Sequence, residues 1–270
     1  MKALTAGLLA MFVAPGLVLA ADVRMGNFTQ GQTLLAVNSE GVRATETQGT
    51  TVTIYDNFTG AATLTTTTGS PRTFIGAPFT TATGSGTDVR VDEATVFLAA
   101  TATQTFSNGL VIRIQFYDTF DGNGAAAIFS NPVGGVQTFT VPGPVTLTLN
   151  TFTQINVVFA APLNFTGLEN GFDINYQGDN GAGPASTDSL TNLLRAQAEP
   201  GTGALAVGSF TTNGVYAAPD WGFYRNVGNQ TNFNHPNSDR RTFTGLDDIS
   251  AVIQLRGAVT PVELTGFNVD

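Results

Sequence analysis

The chain has 270 residues, a formal net charge of −9 and a sequence pI of about 4.4; only 11% of its residues are charged and none is cysteine. That balance excludes thiol catalysis, thiolate metal sites and disulfides, and it leaves no basic stripe to neutralise phosphates, so nucleic acid is excluded as a partner. Gly (31) and Phe (20) are abundant, Thr is the commonest residue and Lys2 is the only lysine, a composition that suits pleated surfaces and tight turns rather than exposed helices.

Met1-Lys2 supplies a positive start, an apolar run continues to Leu19, and Val18-Leu19-Ala20 offers small residues at the −3 and −1 positions of a cleavage site. This is the layout of a secretory signal peptide over residues 1–20. The run is at the short end of the ~17–25 residues that span a bilayer, and Pro15-Gly16 interrupts it. The mature chain is therefore expected to begin near Ala21, outside the cytoplasm, with no membrane span after signal removal.

Residues 21–50 read as a polar amino-terminal segment with a short strand at 33–37. Residues 51–55 (T-V-T-I-Y) form a clearer strand, and 63–70 (T-L-T-T-T-T-G-S) an exposed strand or loop. Residues 88–99 come next. Val89 and Val91 share one phase; Ala94, Val96 and Leu98 share the other, so a β-bulge is expected at Asp92-Glu93. Residues 110–117 (L-V-I-R-I-Q-F-Y) alternate strictly, which predicts a strand with one face in a core and one nearer water. The short link between these two long strands predicts that they pair antiparallel. The loop D-T-F-D-G-N-G follows.

Further alternating stretches lie at 136–141, 145–149, 155–159 and 172–176, separated by turns such as Pro142-Gly143-Pro144. Residues 188–198 carry Leu190, Leu193 and Leu194 at helical spacing behind Asp188 and Ser189, and predict the one short helix. Residues 201–245 are irregular and aromatic. Ile249, Ala251, Ile253 and Leu255 alternate in a closing strand, and 258–270 form a tail. Strands at such spacing predict an all-β fold, an antiparallel β-sandwich of jelly-roll type spanning 51–257.

The string Pro261-Val262-Glu263-Leu264-Thr265-Gly266-Phe267, with Ile54-Tyr55-Asp56-Asn57-Phe58 and Phe223-Tyr224-Arg225, resembles bacterial secreted β-sandwich proteins that carry a carboxy-terminal P-V-E-L-x-x-F string, relatives of the PEP-CTERM and choice-of-anchor exported proteins. No Pro-Glu-Pro, apolar span or basic cluster follows Phe267. The resemblance implies a bacterial extracytoplasmic protein without the sorting tail.

Asp118, Asp121 and Asn123 supply the hard oxygens that calcium prefers, which makes structural Ca2+ the candidate cofactor; their spacing is not that of an EF-hand, and the plainer reading is a turn. Asp92-Glu93, Glu169 with Asp173, and Asp247-Asp248 are the candidate acid pairs. Neighbours on a strand point to opposite faces, which disfavours adjacent pairs as a glycosidase couple. His235 is the only histidine, and no G-x-S-x-G elbow accompanies it. Tyr216, Trp221, Phe223, Tyr224 and Arg225 form an aromatic and cationic cluster suited to stacking on sugar rings, or else to a small core beneath a loop. N-x-[ST] sequons stand at Asn27, Asn57, Asn164 and Asn229. The expectation is a non-enzymatic secreted or cell-surface protein that binds a surface component or glycan. The alternative is a structural subunit of an extracellular matrix or filament assembled by β-strand contacts, and a glycan-active enzyme ranks below both.

Overall fold

The structure, a computed structural model, describes residues 22–25, 28–38, 52–59, 63–68, 74–80, 89–100, 102–121, 128–166, 170–181, 184–185, 190–196, 223–225, 233, 241–242 and 249–259. Among them there is no helix. Strands β1 (Asp22–Met25), β2 (Thr29–Leu35), β3 (Val37–Asn38), β4 (Val52–Asp56), β5 (Thr63–Thr68) and β6 (Phe74–Phe79) precede the long β7 (Val89–Ala100). Then come β8 (Gln104–Phe106), β9 (Gly109–Asp121), β10 (Ile128–Pro142), β11 (Val145–Leu147), β12 (Thr151–Phe165) and β13 (Asn170–Asp179). The chain continues through β14 (Pro184–Ala185), β15 (Leu190–Ala196), β16 (Phe223–Arg225), β17 (Arg241–Thr242), β18 (Ile249–Ala251) and β19 (Ile253–Val259).

Two large sheets result. The nine-stranded sheet runs β1-β5-β15-β7-β12-β2, with β18 on β15, and β19 between β7 and β4. The eight-stranded sheet runs β17-β16-β6-β13-β9-β10-β3, with β14 on β13. A two-stranded ribbon, β8 with β11, stands apart. Among the described strands all pairings are antiparallel except β2 with β12, which is parallel, and one isolated parallel bridge joins Ala100 to Leu149.

One buried cluster joins the two sheets. It takes Val89, Val91, Ala94, Val96 and Leu98 from β7, Ile155, Val157 and Phe159 from β12, Leu110, Ile112, Ile114 and Phe116 from β9, and Phe172 and Ile174 from β13. Phe116 of the second sheet meets Phe159 and Phe165 of the first edge-on, each with ring centroids 5.7 Å apart. Tyr55 meets Phe79 at 5.1 Å across the same gap. Each such ring removed from water contributes ~1.5–3 kcal/mol, and the tilted and edge-on geometry suits aromatic quadrupoles. A smaller cluster of Phe97, Ala99, Phe152 and Val252 lies on the opposite face of the nine-stranded sheet, with Phe58 stacked on Phe97 at 4.2 Å.

The all-β sandwich expectation holds, as does the bulge: β7 uses two steps from Val91 to Glu93 where β19 uses one from Gly257 to Arg256. That extra residue brings both phases of β7 into one core. Two expectations are overturned. Residues 190–196 are a strand, because β15 has β7, β5 and β18 to pair with; inter-strand hydrogen bonds override leucine spacing. The long strands β7 and β9 do not pair. The link between them crosses the sandwich, so β7 belongs to one sheet and β9 to the other.

Candidate functional site

β9 and β13 lie side by side with Gln115 opposite Asp173, Arg113 opposite Asn175 and Val111 opposite Gln177. Their inward residues fill the core. Their outward residues, Arg113, Gln115 and Tyr117 with Asp173, Asn175 and Gln177, make a continuous polar band, because side chains alternate between faces. The sequence predicts this outer face to lie nearer water. Instead Asp173 is 0%, Asn175 1%, Gln115 4% and Gln177 5% exposed. Phe74 is buried on this face as well: β6 turns Ile75, Ala77 and Phe79 into the core, which leaves Phe74 on the outer face, where Phe233 meets it edge-on at 4.7 Å. Phe233 thus lies against this face beside Phe74.

Burial forces the polar groups to find partners. Tyr117 Oη donates to Asp173 Oδ2 at 3.1 Å, and Gln115 Nε2 donates to the Phe116 carbonyl at 2.7 Å. Arg113 is half-buried. Its Nη1 donates to Asn175 Oδ1 at 3.2 Å and also to Gln177 Oε1. Both acceptors are neutral amides. Among the described residues no carboxylate lies within ion-pair distance of Arg113, whereas Arg90 pairs with Asp92 at 3.0 Å and Arg256 with Glu93 at 3.1 Å. Desolvation by burial lowers the Arg113 pKa from its ordinary value. The arrangement is a fixed, partly dehydrated cation on rigid strands, with planar N–H donors suited to oxygen ligands.

The residues singled out in sequence fare differently. Asp118 is in β9 rather than in a loop, and both its carboxylate oxygens accept hydrogen bonds from Thr166, Oδ1 from its N–H at 2.7 Å and Oδ2 from its hydroxyl. Asp121 ends β9, paired with Ile128, and Asn123 lies outside the described residues. Among the described residues no group of three or more His, Asp or Glu side chains could hold a metal ion. Asp92 pairs with Arg90 of its own strand, and Glu93 with Arg256 of β19. Phe223, Tyr224 and Arg225 form β16, and its register with β6 sets Phe223, Gly76, Asp173 and Gln115 in one cross-strand row. Tyr216, Trp221 and His235 lie outside the described residues. The sequon at Asn57 is buried, whereas Asn164 is exposed.

The band itself escapes a reading of single strands. R-x-Q-x-Y and D-x-N-x-Q each look like a solvated face, and only their pairing makes them one site. No protein-family model, curated protein or solved structure matches this chain.

Proposed function

We propose that this is an exported, non-catalytic glycan-binding protein of bacterial type, whose sandwich offers carboxylate-bearing sugars Arg113, the half-buried member of an otherwise buried polar band. The observation that supports it is Arg113. A guanidinium held by two neutral amides has no carboxylate partner among the described residues, and its remaining N–H groups are directed at neither amide. A uronate carboxylate accepts two parallel bonds from such a fork, and charge-assisted bonds of this kind are roughly twice as strong as neutral ones. The rings of Trp221 and Tyr216, close in sequence to β16, supply the stacking faces that sugars take. Export follows from the signal layout of residues 1–20, and mature protein secreted from a bacterial host should begin near Ala21.

Calorimetry against uronate-containing and neutral oligosaccharides tests the reading. The wild-type chain should prefer the acidic ones. Arg113→Gln should lower that affinity at least ~10-fold while leaving the fold intact, since charged hydrogen bonds contribute ~1.5–3 kcal/mol. Trp221→Ala should weaken acidic and neutral sugars alike. A wild-type protein that binds none of them overturns the reading.

A further inference from the structure

Strands β2, β12, β10 and β3 share one flank of the sandwich, and none of the four contains a charged residue, in a chain of net charge −9. Among the described edge strands of four or more residues, β1 and β4 each carry an aspartate and only β2 is uncharged. Among the described residues β2 ends the nine-stranded sheet, and β3, which follows it after Ala36, ends the eight-stranded one. One length of chain thus closes both sheets on the same side. Large exposed hydrophobics gather there too: Leu35 (41%) ends β2, Val136 (42%) sits in β10, and Leu149 (46%) precedes β12; among the described residues only Val52 is comparably exposed.

The backbone of β2 has a usable outer edge. The Ala36 N–H donates to Asn156 O at 3.0 Å. Backbone donors alternate along a strand, so the Leu34 N–H also points toward β12, and those of Thr33 and Leu35 point away. Proteins usually block such an edge with lysine, proline, a charge turned inward or a covering loop. T-Q-G-Q-T-L-L has no charge and no proline.

We propose that this edge pairs with the β2 edge of a second copy of the chain, antiparallel and about a twofold axis, joining two nine-stranded sheets into one. An isologous contact needs only a self-complementary surface, and a bare strand edge is one. Charge selects the place. Two copies of net charge −9 repel wherever their acids meet, and the strands of this flank let them approach without bringing together any acid of their own. Gln30, Thr33 and Gln154, already bonded to one another, continue as a neutral polar surface across the junction. The inference is independent of the sugar-binding reading.

Sedimentation velocity of the full chain over a concentration series tests it. The wild type should move from monomer to dimer. Thr33→Lys and Thr33→Glu should each weaken the dimer at least ~10-fold, because like charges across an antiparallel pair repel. An equimolar mixture of the two should restore it. Leu35→Pro removes an outward donor without removing a bond to β12, and should also dissociate the dimer with an unchanged circular dichroism spectrum. A wild type that stays monomeric, charge variants that assemble like the wild type, or a mixture that stays dissociated would each overturn the proposal.

Discussion

Asn57 shows how one residue can be read for the wrong chemistry. In sequence it opens a sequon and belongs to the I-Y-D-N-F string. In the fold it is fully buried: its Nδ2 donates to the Ala251 carbonyl at 2.8 Å and its Oδ1 accepts from the Ile253 N–H at 2.8 Å. The amide thus holds the break between β18 and β19 against the end of β4. Asp56 beside it accepts from the Phe58 and Thr59 N–H groups at 2.8 and 2.9 Å, an Asx turn that swings Phe58 onto Phe97. Asn57→Ala should cost ~2–4 kcal/mol, because two backbone groups lose their partner in a buried place. Urea unfolding measures this. Asn57 should also remain unmodified in a glycosylating host, while the exposed Asn164 is open to the transferase.

Among the elements, β7 carries most of the architecture. It pairs with β12 along one side, and with β19 and then β15 along the other. The bulge at Asp92 is what lets a strand with two hydrophobic phases serve one core. Gly257 faces Val91 at that bulge, and a Cβ there would run into the Arg90 backbone carbonyl. Backbone cannot swing aside as a flexible side chain can, so Gly257→Ala should destabilise by ~1–3 kcal/mol and lower the melting temperature. The ion pairs flanking the bulge matter less. Arg90–Asp92 and Arg256–Glu93 are part-exposed, and such pairs contribute at most ~1 kcal/mol.

On the scale of the molecule, the two sheets are held together by apolar contact and by a polar tie through the core. Tyr176 of β13 donates its hydroxyl to the Phe97 carbonyl of β7 at 3.2 Å. Burial raises the phenol pKa well above its ordinary value. An unfolded tyrosine ionises near pH ~10, whereas the folded one keeps its proton. Tyr176 therefore adds stability in full below pH ~10 and loses it as pH rises beyond, at up to ~1.4 kcal/mol per pH unit. Denaturation series between pH 8 and 11 should show this decline, and Tyr176→Phe should flatten it by about one proton.

What the amino-acid sequence determined by itself was the class of fold. Two-residue alternation at 110–117, 155–159 and 172–176 has one structural solution, and the phase slip at Asp92-Glu93 was legible because a bulge is a local event. Pairing was not local. Nothing within residues 88–117 says that the chain crosses the sandwich between β7 and β9, and leucines at 190, 193 and 194 suit a helix until three neighbouring strands offer hydrogen bonds. The polar band is the same case. Arg113 and Asn175 are 62 residues apart, and each alone is an ordinary outward side chain. Their burial and their mutual bonds arise only when β9 lies against β13, so tertiary structure alone decided where the candidate site is.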